Sequence, residues 1–185
     1  NAEYDHLKNI VVNRTDVFKD KNVPLMTKEL ELGNKYSEIM SKMTVNYDGK
    51  EQTIVQLNKY LQDNNRSIRE EVWNLRLDRV AEESGELNEI FDELRLIRTE
   101  QSKNTGFENY REFKHKEMGR FSYTPSDIQQ FHNSVEKAVL PYLKELTKER
   151  KDILGLDTIR PYDTAVDLDG RVLKPFQTID EFINK

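Results

Sequence analysis

The chain has 185 residues, 36% hydrophobic and 34% charged, with a net charge of −5 and no cysteine. That length suits one domain with a sizeable core, and the balance of apolar and charged residues excludes a disordered chain. The acidic balance argues against nucleic acid as a partner, the missing thiols exclude disulfides, thiolate metal sites and a cysteine nucleophile and favour a reducing cytoplasm, and no apolar run is long enough to suggest a membrane partner.

Residues 3–24 show no clear periodicity, and Pro24 is read as closing them. From Thr27, read as an N-cap, Leu32, Tyr36, Ile39, Met40 and Met43 recur at helical spacing. Asp48-Gly49 between two short β-capable runs predicts a hairpin, because both central positions of a type I′ turn need positive φ. Thr53 with Gln56 predicts a capping box that opens a short helix through Leu57 and Leu61, ended by "DNN" at 63–65. Ser67 with Glu70 predicts a second box, and its helix runs without proline as far as Asn104. Leu77, Val80, Leu87, Phe91 and Leu94 form its apolar side, with only Ser84 interrupting, so it should pack along its length against another helix. Glu82, Glu83, Glu86, Glu89 and Glu93 read as a solvated acidic face, with no histidine among them to complete a Glu-x-x-His metal pair.

Gly106 falls where a helix C′ residue is expected, and the next helix carries Phe107, Tyr110, Phe113 and Met118 up to Gly119. That helix contains "FKHKEMGRF", in which Lys116 follows His115 and Gly119 stands one turn on. A zinc helix H-E-x-x-H needs a glutamate and a second histidine there, so no metal site is read at His115. Thr124-Pro125-Ser126-Asp127 combines an N-cap hydroxyl, proline at N1 and an acid in the first turn. The helix it opens should bury Ile128, Phe131, Val135, Tyr142, Leu143 and Leu146, kink at Pro141 and stop at Leu154-Gly155. "RPYD" at 160–163 reads as loop and "DLDGR" at 167–171 as a turn between two short strands, since a calcium loop would need an acid where Ala165 stands. Thr178 with Glu181 predicts a third capping box about one turn from Lys185, too short a helix to stand alone unless it docks or the natural protein continues.

Three blocks, "GFENYREF" at 106–113, "MGRFSYT" at 118–124 and "IRPYDTAVDLDGR" at 159–171, together resemble the oligoendopeptidase F branch of the thimet-oligopeptidase-like zinc peptidases. The resemblance covers about Thr53 to Phe176, with Tyr162 where a tryptophan is commoner. It implies that the parent protein is a zinc metalloendopeptidase that hydrolyses short peptides, zinc being its cofactor. It also implies that this chain is the helical region upstream of the zinc helix, its missing partner being the catalytic domain. No catalytic residue and no metal ligand can be carried over, so the chain alone is expected to bind no zinc and to be inactive. Candidates for a substrate-channel wall are Phe107, Tyr110, Phe121 and Tyr123, near helix ends, which could instead staple the connection between two core helices, and Arg120, which could clamp a peptide carboxylate or pair with a nearby acid.

The expected fold is mainly α: long antiparallel helices, one small β-hairpin and a loop-rich C-terminal segment. The boundaries read as an N-terminal helical segment over 1–45, the hairpin over 46–55, a helical scaffold over 56–155, and a loop region with the start of a truncated helix over 156–185. The function read first is a non-catalytic piece of a cytoplasmic oligopeptidase. The alternative is a self-contained helical module that binds a protein partner without enzymatic activity.

Overall fold

The computed structural model describes residues 2–171, 176 and 178–184, with side chains from residue 4 onward. It is mainly α with one two-stranded antiparallel sheet. It divides into two compact units, Asn1–Lys42 with Glu83–Tyr142, and Met43–Glu82 with Leu143–Lys185.

The first unit contains α1 (Ala2–Val17), a 3-10 turn at Asp20–Asn22, α2 (Val23–Lys42), α4 (Ser84–Asn104), α5 (Tyr110–Glu117) and the N-terminal part of α6 (Pro125–Ile153). Helices α2 and α4 run antiparallel, with Lys28 facing Glu93 at 3.6 Å and Lys35 facing Glu86 at 2.8 Å. The glutamate row is thus matched in part by lysines of α2, at the modest value of exposed pairs. Leu32 and Ile90 are buried, and beside them Glu29 accepts from Arg98 at 2.8 Å and from Gln101 at 3.0 Å. Burial opposes the charge on Glu29, but the Arg98 and Gln101 hydrogen bonds hold its carboxyl below the usual range. Buried Asn22 ties the start of α2 to α4, donating to the Gln101 carbonyl at 3.1 Å and accepting from Asn104 at 2.9 Å.

The second unit holds the hairpin, β1 (Thr44–Tyr47) with β2 (Lys50–Thr53), a 3-10 helix over Gln56–Gln62, α3 (Arg66–Glu82), the C-terminal part of α6, a 3-10 turn at Pro161–Asp163 and α7 (Ile179–Ile183). Asp48 and Gly49 have φ of 55° and 69°, the positive pair the turn requires. Thr53 and Gln56 exchange both capping-box bonds, at 2.8 and 3.2 Å. Leu57, Leu61 and Val72 make the core, flanked by Tyr47, Tyr60, Ile68 and Trp73. Over it, the fully buried Asp163 is gripped by Arg66 through two 3.0 Å bonds and by Arg69 through a third. Its own turn adds the Arg160 N–H at 2.9 Å. Burial works against this carboxylate, but the Arg66, Arg160 and Arg69 donors keep it ionised below the ordinary aspartate range.

Several expectations are corrected. Residues 2–17 are helical despite their weak periodicity, and α2 starts at Val23, so Pro24 opens a helix where it was read as closing a segment. Proline costs nothing in the first turn, whose N–H groups have no intrahelical partner. Thr27 lies inside α2 and donates back to the Val23 carbonyl at 3.2 Å. The cap of α3 is Asn65, whose side chain accepts from Ser67 N at 3.0 Å, while Glu70 is engaged by the Tyr162 hydroxyl at 2.9 Å. The long helix is two, α3 and α4, parted at Glu83 (φ −94°, ψ 4°) just before Ser84 and Gly85. Its buried line is only partly the expected one: Val80, Leu87 and Leu94 are half-buried, but Leu77 and Phe91 are exposed, and Val72, Ile90 and Gln101 are covered.

Helix α6 differs most from expectation. It runs through Pro141 to Ile153 as expected, but not one of its residues is buried; Phe131 is 66% exposed and Tyr142 59%. Periodicity reports that a face is apolar, not that something covers it. "DLDGR" is a tight turn in which Asp167 accepts from Asp169 N and Arg171 N, and no strand precedes it. The strand expected after it falls on 172–175, outside the described residues. Thr178 caps α7, accepting from Glu181 N at 3.1 Å.

Candidate functional site

Helix α5 has two working faces. On one, Phe107 and Tyr110 pack at 6.0 and 5.9 Å around the buried Phe113, and the Arg98 guanidinium lies 5.5 Å from the Tyr110 ring. Burial, and after it the charge of Glu29, raises the Tyr110 phenol above its usual range. On the other, Arg111, Lys114, His115 and Met118 stand at i, i+3, i+4 and i+7, one stripe of a helix.

The chain then reverses. Gly119, with φ 67°, is the C′ residue of α5: its N–H reaches the Lys116 carbonyl at 2.9 Å, and the Arg120 N–H approaches the His115 carbonyl at 3.4 Å. Only a residue at ease with positive φ allows that turn, and it leads Arg120 and Tyr123 back past α5. His115 Nε2 lies 2.7 Å from the Tyr123 carbonyl oxygen, with the two rings edge to face at 5.3 Å. A carbonyl only accepts, so Nε2 carries the proton. The other nitrogen, Nδ1, is buried with no hydrogen-bond partner among the described residues.

Thr124 and Asp127 next form a reciprocal capping box, at 2.7 and 3.2 Å, with Pro125 as the first residue of α6. From there Pro125, Ile128, Gln129 and His132 form a second i, i+3, i+4, i+7 stripe. The two stripes, with Tyr110 and Arg120, enclose an open pocket of about 420 Å³. It is lined by three cationic side chains and two imidazoles and by no carboxylate. Two of the cations have acids behind them: Lys114 pairs with Glu117, and Arg111 stands 3.9 Å from Glu112. Burial disfavours the charge on Lys114, but the Glu117 hydrogen bond raises it above the usual range. Arg120 has no carboxylate within ion-pair distance among the described residues; its guanidinium sits 6.0 Å from the Tyr123 ring, so the pairing expected for it is absent.

Of the five channel candidates, Tyr110 and Arg120 line this pocket, and Tyr123 braces its floor through His115. Phe121 lies in a neighbouring groove, its ring 6.0 Å from His6, and Phe107 packs on Phe113. Arg111, Lys114, His115 and His132 were missed as a set. The signal was present as two matching helical stripes, but nothing local says that they face each other.

Zinc needs three or four nitrogen, sulfur or carboxylate donors around one point. Among the described residues no group of three or more His, Cys, Asp or Glu is gathered for a metal, and the two pocket histidines are joined by cations. The residues present do not fit a zinc ion.

Residues 59–184, more than half of the chain, match the model for peptidase family M3. The chain belongs to that family. A crystal structure described as an oligoendopeptidase F from Bacillus anthracis str. Ames superposes with a TM-score of 0.92 at 25% identity, covering 99% of this chain and 34% of that one. A second oligoendopeptidase F structure gives 0.84 at 21% identity, covering 87% and 28%. PZ peptidase A with an inhibitor gives 0.84 at 23%, covering 87% and 29%. No curated protein matches the chain. This M3 chain therefore spans about a third of the length of the solved relatives it resembles. The blocks that carry the family likeness hold its local architecture: "GFENYREF" ends α4 and caps α5, "MGRFSYT" turns from α5 into α6, and "IRPYD" delivers Asp163 to its arginines.

Proposed function

We propose that this chain is a non-catalytic helical part of a longer, cytoplasmic, zinc-dependent oligopeptidase, and that it contributes scaffold and a stretch of the wall along which short peptides bind. The observation that carries the reading is the family M3 match over 59–184 together with a fold shared over 99% of the chain but only 34% of the oligoendopeptidase F structure. Zinc and the groups that activate water would belong to the remaining part of the longer protein. The residues of this chain would orient peptide: Tyr110 and Arg120 directly, Tyr123 through His115.

The test is a quenched fluorescent peptide offered to two proteins, the full-length gene product and the 185-residue chain. The full-length product should cleave it and lose activity to a chelator, whereas the chain alone should show neither turnover nor stoichiometric zinc. Chelator-sensitive turnover by the chain alone, or none by the full-length product with zinc supplied, would refute the proposal.

A further inference from the structure

We infer that the pocket between α5 and the first turns of α6 is a carboxylate-binding subsite that takes the C-terminal residue of an oligopeptide; this rests on the peptidase reading above.

Three observations carry it. First, the lining is cationic in a chain of net charge −5: Arg111, Lys114 and Arg120 converge with no acid among the lining residues. A guanidinium without a carboxylate partner is poised for a bidentate anion, and among the described residues Arg120 has none within ion-pair distance, only the Tyr123 ring at 6.0 Å. Second, the floor is held in place, since His115 is 8% exposed and its Nε2 is fixed on the Tyr123 carbonyl at 2.7 Å. Third, the remaining wall is apolar: Met118, Pro125 and Ile128, with the Tyr110 ring at one side. A phosphate would find nothing to do with that wall. An organic anion with an apolar side chain next to its carboxylate uses both halves, and the last residue of a peptide has that form. Gln129 and His132, on the α6 stripe, add hydrogen-bonding capacity at the rim. A cation is disfavoured at the same place by the charges already there.

The test uses the 185-residue chain and three probes: N-acetyl-leucyl-leucine, its C-terminal amide and inorganic phosphate. With only three histidines in the chain, imidazole resonances report the site directly. The free-acid peptide should shift His115 and His132, leave His6 in place, and bind at least tenfold tighter than the amide. Arg120→Gln and Arg111→Gln should each remove most of that preference; both side chains lie at the surface of the pocket and outside the core, so the far-UV circular dichroism of the variants should match the parent. Equal binding of acid and amide overturns the inference while leaving the peptide-wall reading standing. Phosphate binding as tightly as the free acid overturns it in favour of a general anion site. Shifts that persist unchanged in both arginine variants overturn it as well. If neither peptide binds, the inference fails, and the turnover assay on the full-length product decides separately whether the peptidase reading fails with it.

Discussion

Two arginine-rich regions of this molecule use the same side chain in opposite ways. In the Met43–Glu82 and Leu143–Lys185 unit, Arg66 and Arg69 close on one carboxylate, Asp163, which is fully buried and also accepts a backbone N–H. Arg69 spends its remaining donors on the carbonyls of Tyr162, Asp63 and Asn64, and Arg150 reaches those of Asp163 and Val166. Every partner is internal. In the other unit, Arg120 borders an open pocket whose lining supplies no acid and, among the described residues, has no carboxylate within ion-pair distance, whereas Arg111 beside it stands 3.9 Å from Glu112. A guanidinium whose acid is supplied from within the fold is a fastener; one left without it has capacity for a ligand. The contrast ties the family block "IRPYD" to stability and sets apart the α5–α6 turn, where binding is proposed.

The largest expected effect breaks the fastener. Asp163→Asn leaves Arg66 and Arg69 facing a neutral amide and should cost about 3–5 kcal/mol, read as a lower denaturation midpoint at pH 7. The gap between the two proteins should close with acid. The folded pKa of Asp163 lies below its unfolded value of about 3.9, so its contribution is complete above that value and is lost as pH falls through the folded pKa. A gap that stays constant from pH 6 to pH 2 would show that the charge of Asp163 is not what holds the turn.

A smaller effect tests the hinge of the open region. Gly119→Ala adds a Cβ that meets only the Phe121 ring, at an ordinary 3.7 Å, so the cost comes from φ 67° alone. It should be about 1 kcal/mol in denaturation, with pocket binding weakened because Arg120 is the next residue. The smallest effect completes the contrast: Arg120→Gln, with no acid to abandon, should change stability by less than about 0.5 kcal/mol. A loss as large as that of Asp163→Asn would place Arg120 among the fasteners.

The correct and incorrect sequence expectations divide by range. The hairpin at Asp48-Gly49, the capping box at Thr53, the N-caps at Thr124 and Thr178 and the helix ends at Gly106, Gly119 and Gly155 all stand as read. Each is decided within about six residues by a side chain and the backbone groups it reaches. Ser67 was misread as a cap for a related reason: Asn65, two residues earlier, accepts the N–H of Ser67 itself, so Ser67 is already inside the helix. The break at Glu83, the uncovered face of α6 and the buried line along Ile90 and Gln101 depend on which neighbour each helix meets, and periodicity holds no record of that.

The amino-acid order alone determined that this protein is helical, where most of its helices stop and how its hairpin turns, because those outcomes are fixed by local hydrogen bonding and by φ preferences. Tertiary structure alone decided that Asp163 meets Arg66, 97 residues away in the chain, and that the stripe of Arg111 and His115 faces the stripe of Ile128 and His132. The physical reason is that charge and burial act through space. Whether an arginine is a fastener or a receptor depends on what the fold brings within about 4 Å of it.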